Sequence, residues 1–565
     1  MNVDVAIVGG GPGGATAASL LRKYSPKLQV AIFEREVFPR DHIGESQLPA
    51  ISNILHEMGA WDKVEAANFP IKLGSTNRWG RNPELWDFEF YPSENFVDEA
   101  RPGTFQGQRR MTAFQVDRSI YDKILLDHAE ELGTLVRQGV VVKEVLRQED
   151  SVTGLVLSSG ETVTAKHYID ASGHVGIIRR AMGVQCDYPS GLQNVAFWDY
   201  WQNAEWAVNI GVGGTKILVM SLPYGWIWFI PLGPTRTSIG LVMPAEHYKK
   251  TGKRPEELYL AALGEEERIA GLTQRATREN KFTTTKDWSF IAERQWGANW
   301  FLVGESAGFA DPILSAGMTM AHSAGREVAY TIGELERGEH DALWLREQFG
   351  RRQARRIQSH IRFADFWYTA NAQFIDLQEF IQGIARDNEL ELTPLKAWEW
   401  LARGGFIDED LGVGFGGFNL GAIKQLGDVL AEVKPDALWS KFNVYRVNLT
   451  GATQRERALY WNGRIMRGNC YVRGDRLLPV DGSYSQVLYT LQRTSDLAQI
   501  IEMSRASFTQ QLQKPEVEKA CARFMETLEA MVSDGWVETS LDPNRPLFNA
   551  ESKGRCVRLH SETKR

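Results

Sequence analysis

At 565 residues the chain is longer than a single hydrophobic core usually organises, so roughly two to four packed units are expected. With 43% hydrophobic and 24% charged residues it is not a disordered chain, and no apolar run reaches the ~20 residues that a membrane helix needs. A formal net charge of -7 gives no general basic footprint for nucleic acid or an anionic membrane. Cys186, Cys470, Cys521 and Cys556 lack CxxC spacing, so neither a metal site nor a disulfide framework is expected, and a reducing cytoplasm is. Two residue types stand out: 52 glycines, which suit tight turns or close backbone approach to a ligand, and 18 tryptophans, which supply large flat surfaces.

The first element is the run Val3-Asp4-Val5-Ala6-Ile7-Val8, which reads as a strand and has neither a basic leader nor room for a cleavable signal. Gly9-Gly10-Gly11-Pro12-Gly13-Gly14 follows, then a helical pattern from Ala15 to Leu21 and a second strand, Leu28 to Phe33, that ends at Glu34. Gly9, Gly11 and Gly14 have the GxGxxG spacing between strand and helix. One glycine serves the tight turn, one the approach of backbone to a pyrophosphate, and one close helix packing. Glu34 stands where a carboxylate would accept the hydroxyls of an adenosine ribose. A second run, Gly412 to Gly417, follows the acidic Asp408-Glu409-Asp410 and not a strand, so it reads as a loop. No second fingerprint for NAD(P)H is evident.

Downstream come Phe38-Pro39-Arg40-Asp41-His42-Ile43-Gly44-Glu45-Ser46, Val116-Asp117-Arg118 leading a helix, Tyr168-Ile169-Asp170-Ala171-Ser172-Gly173, and Trp300-Phe301-Leu302-Val303-Gly304-Glu305. In this order the segments resemble the FAD-binding elements of the flavin monooxygenase and halogenase superfamily. The resemblance implies FAD contacts from Arg40, Ser46, Arg118, Gly304, Glu305 and Asp311. The superfamily usually carries Gly-Asp where this chain has Gly304-Glu305.

Three further segments resemble the flavin-dependent halogenases. Gly225-Trp226-Ile227-Trp228-Phe229-Ile230-Pro231 carries their WxWxIP signature, Phe309 to Gly317 their FxxPxxSxG pattern, and Phe69-Pro70-Ile71-Lys72-Leu73-Gly74 a lysine at their essential position. The likeness covers about the first 390 residues. It implies that reduced FAD, oxygen and chloride or bromide yield hypohalous acid, with a catalytic Ser315 and the backbone amides of Ala316 and Gly317 after it holding the halide near the flavin. Lys72 would hold hypohalous acid by a hydrogen bond or form a chloramine. Trp226 and Trp228 would either wall the flavin from the substrate or simply pack the strand. Asp287, in Lys286-Asp287-Trp288-Ser289, is a candidate for covalent FAD attachment, with a solvated turn residue as the plainer alternative.

Where the tryptophan halogenases carry a glutamate before the serine of FxxPxxSxG, this chain has Leu314. That departure resembles the phenol and pyrrole halogenases and disfavours free tryptophan as substrate.

The fold class expected is α/β: a Rossmann-like FAD-binding domain of the flavin monooxygenase type with an inserted antiparallel substrate sheet and a mainly helical C-terminal region. FAD-binding pieces are placed at 1–65, 108–185 and 290–335, the substrate domain at 66–107 and 186–289, and a helical segment with an aromatic stripe (Phe363, Phe366, Trp367, Tyr368, Phe374, Phe380) at 336–390. Residues 391–565 hold short strands at 464–466 and 471–473 and helices at 485–493, 495–503 and 515–534. They read as a winged-helix or peptide-recognition module, or as a structural tail. Together these features point to an FADH2-dependent halogenase fed by a separate flavin reductase, acting in secondary metabolism of the antibiotic type. Its substrate would be an electron-rich phenolic, pyrrolic or similarly activated carbon, free or tethered to a carrier protein. The rivals are an NAD(P)H-dependent aromatic hydroxylase and a non-catalytic flavoprotein scaffold.

Overall fold

The computed structural model describes residues 1–80, 83–207, 209–211, 213–377, 407–408, 413–414, 438–474, 476–548 and 557–560. Along the chain, the elements that place the site are β1 (Asn2–Val8), α1 (Pro12–Tyr24), β2 (Val30–Phe33), β3 (Ile71–Arg78), β4 (Trp86–Glu89), α2 (Arg118–Glu131), β5 (Thr162–Asp170), β6 (Gln193–Gln202), β7 (Gly214–Leu222), β8 (Gly225–Pro231), β9 (Arg236–Pro244), β10 (Thr283–Trp288), β11 (Trp300–Leu302), α3 (Gly317–Arg337) and α4 (Ala342–Thr369).

The first sheet is mixed, and its central strands are of the buried parallel kind that a continuous apolar run such as Val5-Ala6-Ile7 requires. β1 lies between β2 and β5, and β11 continues the sheet beside β5, all in parallel. Three carboxyl ends, at Gly9, Ala171 and Val303, therefore open on the same edge, where ligands of open α/β sheets bind. Helices α1 and α3 pack there at close range. A Cβ on Gly325 of α3 would come within 2.4 Å of the Gly13 carbonyl, so this contact needs glycine.

The second sheet runs β6-β9-β8-β7-β3-β4. Its β6, β7, β8 and β9 form the antiparallel array expected between Asn194 and Met243, while β3 joins β7 in parallel. Strand alternation sorts the side chains. Leu218, Met220, Ile227, Phe229, Ile239 and Leu241 point into a core with Leu258, Tyr259 and Leu263 of the helix Pro255–Glu265. Ile217, Val219, Trp226, Trp228 and Ile230 point the other way, into a cavity. One irregularity matters: Lys72 and Gly74 face the consecutive residues Thr215 and Lys216, so Leu73 is an extra residue in β3. Without that bulge Lys72 would be out of phase with Ser75 and Asn77. With it, Lys72 shares the face of its partner Thr215 and of Ile217 and Val219.

A single helical pattern was expected from Ala324 to about Arg386. Two helices are found, because α3 stops at the left-handed Gly338 and Asp341 caps α4 by accepting from the Trp344 N–H at 2.7 Å. They are clamped by buried Glu327, which accepts from Arg352, Gln353 and Arg356. The aromatic stripe is core: Phe363, Phe366, Trp367, Tyr368 and Phe374 are buried, and Phe380 lies outside the described residues.

The chain divides into two compact units, one of residues 1–389 with 460–465 and 559–565, the other of 390–459 with 466–558. The pieces expected separately as FAD-binding, substrate and helical segments thus belong to one unit. In the other, Val444–Val447 pairs antiparallel with Val537–Ser540, beside helices Gly482–Leu491, Leu497–Gln511 and Lys514–Ser533. Its core gathers Tyr445, Leu478, Val487, Ile500, Phe508, Phe524 and Trp536. Where two short strands were expected, Arg464–Arg473 is one. Of the second glycine run only Val413 and Gly414 are described, paired as a short strand with Ile407 and Asp408 where a loop was expected. Cys186, Cys470 and Cys521 form no disulfide among the described residues, and Cys556 lies outside them.

Crowding at the first turn makes a prediction. A Cβ on Gly14 would lie 2.0 Å from the Gly9 carbonyl oxygen, so Gly14→Ala should destabilise the fold by about 3 kcal/mol. Gly271→Ala, in the open on the helix Glu267–Thr273, should instead stabilise it by up to about 1 kcal/mol. Thermal unfolding of the two variants beside the parent checks the contrast.

Candidate functional site

The glycine turn is built as its spacing predicts, between a buried strand and a helix. Gly9 sits at φ +106°, where a side chain would strike the Ala171 carbonyl, and Gly11 caps α1 with Pro12 at its first position. Glu34 has a local duty beside the one expected. Its carboxylate accepts from the Gly10 N–H at 2.7 Å and from the Glu36 N–H at 2.9 Å, fixing the turn while leaving lone pairs for other donors. Below the turn, His322 of α3 bridges Thr16 Oγ1 and Tyr121 Oη, each at 2.8 Å, and burial holds its imidazole neutral by lowering it to about 3.

From the turn a cavity of about 1240 Å³, open mouth included, runs along the strand ends. Its wall includes Gly13, the loop His42 to Ser46, Arg118, Ala171, Gly173, Gly304 and Glu305. Arg118 is fixed by a bidentate pair with Asp122, at 2.7 and 2.8 Å, and donates from Nη1 to the carbonyls of Ile43 and Gly44. Arg40 reaches the same Asp122 at 3.3 Å, and its Nη2 would be 3.8 Å from a Cβ on Gly11. The loop is tethered at Asp41 as well, by Arg236 at 3.0 Å and Lys281 at 2.8 Å. Arg236 also holds Asp117, the cap of α2, at 2.5 Å.

At the far end the segment Asp311 to Gly317 makes a turn. Asp311 caps the helical turn Pro312–Leu314, Ser315 takes the left-handed φ +52°, and α3 begins at Gly317. Pro312, Ile313, Ser315, Ala316 and Gly317 all line the cavity, so the unpaired N–H groups of the first turn of α3 lie at its wall. Asp311 differs from the expected cofactor contact. Its carboxylate accepts from the Ile313 N–H at 2.9 Å, from Asn194 at 3.0 Å and from the Tyr368 hydroxyl at 3.2 Å, and it is not on the cavity wall.

The tryptophans face the cavity side by side, with ring centroids 6.1 Å apart. Both indole N–H groups are taken by hydroxyls, Trp226 donating to Tyr368 at 2.8 Å and Trp228 to Ser238 at 3.1 Å. What the wall presents is aromatic carbon. The Trp228 ring lies over Gly240, whose missing Cβ would be 2.1 Å from it.

Lys72 is 2% exposed and makes no hydrogen bond or ion pair among the described residues; its ammonium lies 5.3 Å from the Phe90 ring centre. Burial lowers it to about 7. It is not itself on the cavity wall. Asp287 pairs with Asn194 in the backbone of β10 and β6, and its side chain lies outside the described ones.

Sequence reasoning passed over Glu45. It is 1% exposed on the cavity wall, and burial raises it to about 7 against the opposing pull of Tyr200, Arg118 and Ser238. The available signal was an acid set between Gly44 and Ser46 in a segment already selected. Tyr368 and Asn194 had no comparable signal, since only the fold brings them to Asp311.

FAD fits these residues. A glycine turn at a helix start, a carboxylate after the second strand and a cavity along the strand ends are present, and the Oγ of Ser46 is buried without a partner among the described residues. No group of three or more metal-ligating side chains occurs among the described residues, nor any helix long and apolar enough to cross a membrane.

Residues 4–101 and 93–374 match the family described as tryptophan halogenase. The chain is 33% identical over 362 residues to a tryptophan 2-halogenase of Chondromyces crocatus, covering 62% of this chain and 65% of that one, just under two thirds of the relative's length. It is 28% identical over 458 residues to a 1H-pyrrole-2-carbonyl peptidyl-carrier-protein chlorinase of Pseudomonas fluorescens, covering 78% and 96%. Among solved structures, the myxobacterial chondrochloren halogenase CndH aligns with a TM-score of 0.60 at 28% identity, over 76% of this chain and 96% of that one. The flavin-dependent halogenase CmlS shares the fold, with a TM-score of 0.71 at 22% identity over 98% and 99%.

The wall gives a test that needs no substrate. Gly240→Ala should push the Trp228 indole into the cavity and weaken FAD binding by roughly tenfold, about 1.4 kcal/mol, read by titrating flavin fluorescence.

Proposed function

Because the chain belongs to the tryptophan halogenase family, we propose that it is an FADH2-dependent halogenase of electron-rich phenolic or pyrrolic carbon, using chloride or bromide and fed by a separate flavin reductase. The observation that carries the reading is Lys72: a buried amine with no counter-ion among the described residues, turned by a bulge to the cavity side of the sheet. Bound in reduced form, FAD would supply the two electrons that reduce oxygen, which in turn oxidises the halide to hypohalous acid and leaves water as the other product. Gly11, Gly13 and the start of α1 would hold its pyrophosphate, with Arg40 and Arg118 beside them and Glu34 at the ribose.

The backbone N–H groups at Ala316 and Gly317 would form the concave anion site for the halide, the Ser315 N–H being taken by the Pro312 carbonyl at 3.0 Å. Trp226 and Trp228 exclude water and separate that site from the substrate. At Lys72 an ordinary lysine would be ammonium at neutral pH; this one, near 7, is amine in about half its molecules. The amine attacks the halogen of hypohalous acid, forming an N–halogen bond and releasing water, which favours the chloramine route over hydrogen bonding alone. Glu45 keeps a proton near neutrality for delivery into the cavity. The turn offers Leu314 and no base, so the substrate carbon must be activated already. The pyrrole-carbonyl relative supports an aromatic acyl group on a carrier protein as substrate.

Mass spectrometry of products from phenolic and pyrrolic acids, free and carrier-bound, with reductase, FAD, oxygen and each halide should show a halogen isotope pattern. Lys72→Met should cut that product at least roughly a hundredfold while flavin oxidation continues. Substrate-stimulated NADPH oxidation without a reductase would identify a hydroxylase instead. The pH profile has a definite sign. Lys72 needs its neutral form, gained above about pH 7, and Glu45 its protonated form, lost above about pH 7, so the rate should be bell-shaped around neutrality. Glu45→Gln cannot titrate, and its profile should keep the acid limb and lose the alkaline one.

A further inference from the structure

We propose that Tyr368 is a positioning residue that ties the halide turn to the tryptophan wall. Its hydroxyl accepts the Trp226 indole N–H at 2.8 Å and donates to Asp311 at 3.2 Å, the same carboxylate that accepts the Ile313 N–H and thereby shapes the turn leading to Ser315, Ala316 and Gly317. Asn194 braces both partners, donating to Asp311 at 3.0 Å and to Tyr368 at 3.2 Å. The tyrosine ring is itself held edge-on to Trp79, with centroids 5.7 Å apart, and lies 5.9 Å from Phe374. Tyr368 is supplied by α4, outside the segments that carry the flavin and halide motifs. One buried phenol thus sets the distance between two walls of the cavity that come from separate parts of the chain.

The inference rests on Ala316 and Gly317 holding the halide. If it holds, loss of the hydroxyl frees Trp226 and unbraces Asp311, and the turn relaxes from the geometry that captures an anion. Flavin reoxidation by oxygen, which needs neither contact, continues.

Two measurements on Tyr368→Phe test this, the ring packing being retained. In apoprotein with ¹⁵N-labelled tryptophan, the Trp226 indole N–H resonance should shift and the Trp228 resonance, bonded to Ser238, should stay. In single turnovers of FADH2-loaded enzyme with oxygen, oxidised chlorine is titrated with thionitrobenzoate, which counts hypochlorous acid and chloramine alike. The half-saturating chloride concentration should rise at least fivefold, with flavin reoxidation at saturating chloride within twofold of the parent.

An unshifted Trp226 resonance, or unchanged chloride dependence, overturns the proposal, and so does a parallel fall in reoxidation rate and halide capture, which would mark a general structural defect. Absence of oxidised chlorine from the parent itself would instead overturn the halide assignment. Should Tyr368→Phe fail to fold, Asp311→Asn, whose Oδ1 can still accept from the Ile313 N–H and the Tyr368 hydroxyl while losing the acceptor for Asn194, must retain more chloride capture than Asp311→Ala, and equal loss in both rejects the idea.

Discussion

Everything at this site depends on phase. A strand turns alternate residues to opposite faces, so the apolar core on one side of the second sheet and the cavity on the other stay separate only if all its strands keep step. From β7 to β9 the alternation is unbroken, which puts Trp226, Trp228 and Ile230 with Ile217 and Val219 while Leu218 and Phe229 stay in the core. β3 enters one residue out of step and is corrected by the extra Leu73. The same correction leaves Thr76 on the opposite face, where it meets Asp87, the carboxylate that also pairs with Lys216. A charge-paired side and an unpaired amine can therefore occupy one short strand.

Burial is put to two uses in this unit. Where a counter-charge is supplied, as for Arg118 with Asp122 or Glu327 with Arg352 and Arg356, an ion becomes a rigid post. Where the counter-charge is missing, as at Lys72, or too weak to offset burial, as at Glu45 near Arg118 and Arg236, the group moves toward its neutral form. Lys72 falls and Glu45 rises until both stand near 7, so each can change its proton at little cost around neutral pH. His322 lies far past that point and is a fixed neutral strut under the glycine turn.

Much of the first unit was legible because its signals are local. Glycine spacing between a strand and a helix, the pair of tryptophans two residues apart, and an apolar setting around Lys72 each describe something a short segment does by itself. Less legible was whatever depends on which segments meet. Asp311 reads as a cofactor ligand in its motif, yet three donors from its own turn, β6 and α4 claim its oxygens. Glu34 occupies its expected position but also stitches its turn. The break between α3 and α4 was hidden because apolar residues recur at helical spacing on both sides of Gly338, and in the second unit no motif marked a long strand across Arg464–Arg473.

The loop from Asp41 to Ser46 is fastened by two kinds of tie with different responses to dissolved ions. Lys281 and Asp41 are about half and one third exposed, so salt in the medium screens their attraction, whereas the Arg118 contacts to Ile43 and Gly44 are hydrogen bonds behind a buried ion pair and are largely shielded. Halide is itself such a salt. In the proposed reaction, the concentration that fills the anion site proposed at Ala316 and Gly317 would therefore also loosen the outer tether of the loop, making the ion consumed a solvent condition for the loop as well.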